Sequence, residues 1–247
     1  MTQTQREAAL NRLILALDVP TLDDAVEWYH RMAPRFGWFK VGLELFSAHG
    51  PAVFDRIPPE RVFLDVKYHD IPNTVAGASR AAAKLGVWMF NVHAAGGSAM
   101  LKAARQAADA GSQSIGAAPP LLIAVTVLSS IDETVLRGEM GVARAIDEQV
   151  LAMARLAQDN GLDGVVASAP EVARIREACG PDFVIMTPGI RPSGAPLGDQ
   201  KRVMTPAEAI RAGSTYLGIG RPVTAEADPE SAAEAILEEV AQAMQTG

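Results

Sequence analysis

The sequence predicts an α/β protein in which eight parallel strands alternate with helices and close into a (β/α)8 TIM barrel. Three observations predict it. Short runs rich in Val, Ile and Leu alternate with longer amphipathic runs along the whole chain. The short runs are apolar on both faces, as strands of a helix-covered parallel sheet must be. Eight such pairs fit into 247 residues, close to the usual size of this barrel. A doubly wound sheet is the alternative, but it expects fewer strands and a ligand turn at a switch point. No linker, repeat or low-complexity tract divides the chain, so positions 1–247 read as one domain.

The elements follow in order. "LILALDV" at 13–19 reads as the first strand. The helix after it opens at Thr21, a side chain able to cap exposed backbone N–H groups. "WFKVG" at 38–42 is the second strand, with a short helix from Glu44. "RVFLDV" at 61–66 is the third, and a helix runs from near Pro72 to Gly86. "VWMFNVH" at 87–93 is the fourth, before an alanine-rich helix at 97–110 and a loop at 111–120. "LLIAVTVL" at 121–128 is the fifth, with a helix over about 144–160. "GVVAS" at 164–168 is the sixth, with a helix from about 170 to 179. The seventh lies at 183–187, before a long polar loop at 190–203 and a short helix at 206–212. The eighth lies at 214–219, and a final helix fills 229–244.

Bulk properties narrow the function. Hydrophobic residues make up 49% and charged residues 21%, ordinary values for a soluble globular protein. The formal net charge is −7, which argues against a general nucleic-acid binder, since those carry a basic face. A small anion remains a fit for a locally positive site. The single cysteine, Cys179, allows no disulfide within one chain and suits a reducing compartment. It reads as a small residue near a helix end. The polar N-terminus lacks a signal-peptide core, and no apolar run is long enough to span a bilayer. A cytoplasmic protein with no membrane contact is expected.

In such a barrel the C-terminal strand ends carry the chemistry. Strand one ends in Asp18, strand two carries Lys40, and strand three ends in Asp65 and Lys67 with Asp70 beyond. Strand four ends in His93, and strand five runs into Ser129 and Ser130. Strand seven leads to Pro188 and Arg191, and strand eight to Gly220 and Arg221. Charges rarely sit in strand interiors unless paired. One Asp-x-Lys pair is most simply a structural ion pair, but four charges on three strand ends ask for a function. Asp65 and Lys67 lie two apart, on one face of an extended chain. At about 4 Å and an effective dielectric near 20, each opposite pair gains roughly 4 kcal/mol before desolvation. Such an array holds a lysine protonated and aimed, as a general acid for a carbon centre requires.

"TPGIRP" and "GIGRP" have another meaning. Glycines let backbone N–H groups approach an anion, and arginine offers a forked donor to phosphate. Barrels of this class often bind phosphate after strands seven and eight. The loop at 190–203 is long enough to fold over a ligand. His93 reads as structural, and His30, His49 and Tyr68 as helix or surface residues. No spacing of His, Cys and carboxylates resembles a zinc site, so no metal ligand is expected.

These motifs match a known family. The strings "LALDV", "FKVGLELF", "FLDVKYHDIPNT", "FNVHAAGG", "VTVLSS", "TPGIRP", "GDQKRVMTP" and "GIGRPVT" run in order from residue 15 to 224. In them the chain resembles the orotidine 5′-phosphate decarboxylases, which convert orotidine 5′-monophosphate to UMP and CO2, the last step of de novo UMP synthesis. The resemblance implies a carboxy-lyase with no cofactor. Lys67 would donate the proton to C6 of the pyrimidine, with Asp65 and Lys40 completing its charge network. Asp70 would lie against the scissile carboxylate and, with Ile71 and Thr74, reach into a partner subunit's site, making the active form a homodimer. Asp18 and Lys40 would hold the ribose hydroxyls, and Ser129 would touch the pyrimidine amide. Arg191, Gln200, Gly220 and Arg221 would bind phosphate, with Pro188 beside them. One departure is "VLSS", where many relatives read Leu-Thr-Ser; serine keeps the hydroxyl. Related sugar-phosphate decarboxylases and hexulose-phosphate synthases also carry Asp-x-Lys-x-x-Asp, but use magnesium and a glutamate at the end of strand two. Here that position is Lys40, which repels a metal.

Overall fold

The computed structural model describes residues 1–192 and 204–245. Eight parallel strands close into a barrel in chain order, β8 pairing back onto β1. They are β1 Leu13–Ala16, β2 Trp38–Gly42, β3 Val62–Tyr68, β4 Met89–His93, β5 Leu121–Val125, β6 Gly164–Val166, β7 Val184–Thr187 and β8 Tyr216–Ile219.

Most strands are shorter than the apolar runs that announced them. The runs at 13–19, 121–128 and 164–168 end their ladders at Ala16, Val125 and Val166. The chain stays bonded a step further, since Leu17 N donates to Lys40 O at 3.0 Å and Thr126 N to Val166 O at 3.1 Å. Beyond that the chain turns to line the barrel mouth. The runs at 87–93, 183–187 and 214–219 begin one or two residues late, at Met89, Val184 and Tyr216. β3 departs the other way. It extends past 66 to Tyr68, because a register shift between Leu64 and Tyr68 lets Tyr68 pair with Val92. Tyr68 is thus a strand residue, half-buried against Phe90.

The helices are α1 Gln3–Leu10, α2 Leu22–Met32, α3 Leu43–His49, α4 Pro72–Lys84 and α5 Gly97–Gln113. They continue with α6 Ile146–Asp159, α7 Val172–Cys179, α8 Pro206–Ala212, α9 Arg221–Thr224 and α10 Pro229–Ala243. Thr21 caps α2 as expected, its hydroxyl accepting from Asp24 N at 3.1 Å. Pro72 opens α4, where a missing N–H costs nothing. α5 runs three residues past 110 and takes up the start of the expected loop. α1 has no counterpart in the sequence reading. Its stretch is polar, but Thr2 and Gln5 cap one another reciprocally, and Ala9 is buried. The span around 170 opens as a 3-10 turn, Ala169–Glu171, before α7 begins. Cys179 is the last residue of α7, free and buried. No helix among the described residues is long and apolar enough to cross a membrane.

Alternate residues of each strand face opposite sides of the sheet. Outward ones, such as Leu15, Phe39, Leu64, Phe90, Ile185 and Leu217, pack against the helices in one large core. Inward ones form a second cluster, Ile14, Phe63, Met89, Ile123 and Met186. Trp38 and Trp88 stack beneath it with ring centres 3.6 Å apart, and Tyr216 meets Trp88 edge-on at 4.9 Å. The N-terminal end of the barrel is therefore plugged, leaving the C-terminal end for ligands.

Candidate active site

A cavity of about 590 Å³ opens at the C-terminal end. That volume suits a small-molecule ligand. Nine of the residues singled out in the sequence line it: Asp18, Lys40, Asp65, Lys67, Ser129, Pro188, Arg191, Gly220 and Arg221. They come from β2 and β3, from the turns after β1, β5, β7 and β8, and from the first residue of α9, so only barrel closure assembles them.

Four charges form a chain across three strand ends. Lys40 Nζ lies 2.7 Å from Asp18 Oδ1 and 3.4 Å from Asp65 Oδ2. Lys67 Nζ lies 2.6 Å from Asp65 Oδ1. Gly42 keeps the space clear, since a Cβ there would come within 3.0 Å of both Asp18 Oδ1 and Lys40 Nζ. Burial pushes the Lys40 ammonium down, but Asp65 and Asp18 outweigh it and hold its pKa above the usual lysine value. Burial likewise works against the Asp65 carboxylate, yet Lys40 and Lys67 with their hydrogen bonds hold it below the ordinary range. Lys40 and Asp65 thus each favour the other's charged form, and the ion pairs around them fix the geometry of the network.

The backbone beneath it is not the extended strand that the two-residue spacing implied. Lys67 has φ +53°, the one non-glycine residue at positive φ among those described. The left-handed region costs an ordinary L-residue about 1–2 kcal/mol. The ion pair to Asp65 forms because the β3 register breaks here, not because the chain alternates regularly.

At the opposite side of the cavity, Arg191 is buried and donates from Nη1 to Ile190 O at 2.9 Å. Burial, then the nearby Arg221, lowers the Arg191 pKa. Two guanidiniums close enough to repel make a positive pole that an anion would relieve.

Asp70, Ile71 and Thr74 stand apart from the cavity. All three are exposed, Ile71 to 67%, and the Asp70 carboxylate accepts from Ile71 N at 2.6 Å. Gln200 and most of the 190–203 loop lie outside the described residues. His93 is half-buried with its ring 5.4 Å from that of His69. Burial, then His69 and Lys67, lowers its pKa and favours the neutral ring. Among the described residues, no group of three or more His, Cys, Asp and Glu is arranged to hold a metal ion.

The sequence matches the orotidine 5′-phosphate decarboxylase / HUMPS family over residues 11–236. The chain belongs to this family. It is 55% identical to an orotidine 5′-phosphate decarboxylase of Moorella thermoacetica over 95% of this chain and 94% of that one. It is 52% identical to one from Syntrophotalea carbinolica, covering 97% and 98% of the two chains. The crystal structure of an orotidine 5′-phosphate decarboxylase from Lactobacillus acidophilus superimposes with a TM-score of 0.79 at 39% identity, covering 93% of this chain and 99% of that one.

Two site residues escaped the sequence reading. Asn91 on β4 is fully buried. Its Nδ2 donates to Asp65 Oδ1 at 2.7 Å, and its Oδ1 accepts from Lys67 N at 2.8 Å. Its signal was available, because it lies two residues past Met89 on the inward face. Ser168, after β6, lines the cavity with a buried hydroxyl that has no partner among the described residues. It lies past the end of its strand, where alternation no longer says which way a side chain faces.

Proposed function

We propose that this protein decarboxylates orotidine 5′-monophosphate to UMP and CO2, with Lys67 as the proton donor. The observation that carries the reading is the chain Asp18–Lys40–Asp65–Lys67, which ends in an ammonium inside the cavity and faces a pair of arginines across it. When the C6–carboxyl bond breaks, CO2 leaves and the electron pair stays on C6. The Lys67 ammonium stabilises that charge as it develops and then transfers its proton to C6. Asp65 pairs with Lys67 and fixes it in place until then, and Lys40 holds Asp65 from the other side. Asp18 and Lys40 bind the ribose hydroxyls, Ser129 meets the pyrimidine amide, and Arg191, Arg221 and the Gly220 backbone take the phosphate. Gln200 joins the phosphate from the loop. Phosphate contacts far from C6 supply binding energy that orders the reacting end.

The active form is a homodimer in this reading. Asp70, Ile71 and Thr74 are exposed and line no part of their own chain's cavity, as residues destined for a partner's site would be. Mixing Lys67→Ala with Asp70→Ala chains should then return activity, because hybrid dimers regain one intact shared site. No recovery after verified subunit exchange would remove Asp70 from that role.

The deciding assay follows the ultraviolet absorbance of orotidine 5′-monophosphate with purified protein and excess EDTA. Conversion to UMP supports the reading. Conversion that needs added magnesium, or none by folded protein, moves it to the sugar-phosphate branch of the family.

A further inference from the structure

We propose that Asn91 is a positioning residue for this reaction, holding Lys67 and Asp65 in register through a single carboxamide. The inference rests on the decarboxylase reading. Lys67 occupies a backbone conformation that an L-residue adopts only when its surroundings over-determine it. The β3–β4 ladder offers no help there, since its register breaks between Leu64 and Tyr68. The Lys67 N–H is instead met by Asn91 Oδ1 at 2.8 Å.

The other end of the same amide donates to Asp65 Oδ1 at 2.7 Å. That oxygen also receives Lys67 Nζ at 2.6 Å. A closed ring results: Asn91 to the Lys67 backbone, along the Lys67 side chain to Asp65, and back to Asn91. The partners fix the amide's orientation, because a backbone N–H needs an acceptor and a carboxylate needs a donor. Asn91 is itself held inside the sheet, paired with Ile123 of β5. It is fully buried, so water does not substitute for it. Aspartate has the shape but lacks the donor; alanine lacks both groups; glutamine is one methylene too long.

The test compares parent, Asn91→Ala and Asn91→Asp by thermal unfolding, steady-state kinetics and UMP binding. A misplacement near 1 Å at a reacting group costs on the order of 100-fold, so kcat should fall by about that factor in both variants. KM and the Kd for UMP should stay within about threefold, because ribose and phosphate contacts are untouched. A folded variant with kcat within about threefold of the parent overturns the proposal, as does a parallel rise in KM and UMP Kd, the mark of a generally loosened barrel. If Asn91→Ala does not fold, Asn91→Asp decides alone, since it keeps both the shape and the acceptor for Lys67 N.

A parent that fails to turn over orotidine 5′-monophosphate refutes the function instead. The crystal structure of the variant then judges the positioning role. Lys67 Nζ displaced from Asp65 supports it. Lys67 still left-handed and bonded to Asp65 overturns it.

Discussion

The two ends of the barrel interior are built on the same strands by the same alternation, yet they do opposite things. On β2, Trp38 faces inward at the bottom and Lys40 faces inward at the top. On β3 the pair is Phe63 and Asp65; on β4 it is Met89 and Asn91. Members of each pair are about 6.6 Å apart along the strand. The interior changes from stacked rings and sulfur to ion pairs within a single repeat of the strand. The bottom is held by burial, which is undirected and tolerant of shape. The top also has apolar lining, such as Val125, Val127 and Ile219, but its charges on β2 and β3 are held by directed ion pairs of 2.6 to 3.4 Å. Stability and chemistry are therefore separable along the barrel axis, and substitutions at the two ends should fail in different assays.

Lys67→Ala tests that separation with the largest effect. It removes both the charge that stabilises C6 and the proton that ends the reaction, so kcat should drop by at least about 10⁴-fold. Asp65 keeps Lys40 and Asn91 as partners, so the variant should still fold. Its unfolding midpoint should lie close to the parent's. Lys67→Gly should unfold later than Lys67→Ala by about 1 kcal/mol, since glycine bears positive φ without strain. Substantial residual turnover would take Lys67 out of the donor role and dissolve the contrast between the ends.

Trp88→Ala is the counterpart at the bottom. It deletes a ring stacked on Trp38 and packed edge-on against Tyr216, away from the cavity lining. Loss of about 3 kcal/mol in unfolding free energy is expected, toward the low end for aromatic truncation because the ring is half-buried. Measured well below its unfolding midpoint, kcat/KM should match the parent's. A large kinetic loss in folded protein would mean that the plug transmits strain to the site.

The same contrast explains what the sequence allowed to be read. Apolar runs announce strands through burial, a property of each residue alone, so all eight strands were legible. Charges at strand ends stood out against that background, which made Asp18, Lys40, Asp65 and Lys67 legible too. Asn91 could be placed on the inward face by alternation, but an uncharged amide inside "FNVH" stands out less than a charge, and its role depends on which neighbours the sheet gives it. The left-handed turn at Lys67 had no signal, since neither glycine nor asparagine marks it. α1 was invisible because its cap is a reciprocal pair of side chains on a polar helix with little apolar face.

Arg221→Ala sharpens the comparison within the top end itself, between the pole that reacts and the pole that binds. Losing one charge-assisted contact to phosphate should cost about 1.5–3 kcal/mol, or roughly 10- to 150-fold in kcat/KM, expressed mainly as a higher KM. The loss is bounded because Arg191 remains. Its guanidinium is lowered by burial and by Arg221, and removing Arg221 relieves the second of these. Orotidine, which lacks the phosphate, separates the two poles. On that substrate parent and variant should be equally slow, because the reacting end is intact in both. An unchanged KM on the nucleotide would take Arg221 out of the phosphate site. A loss of equal size on orotidine would mean that Arg221 acts on the reacting end, and that the cavity's two poles are one.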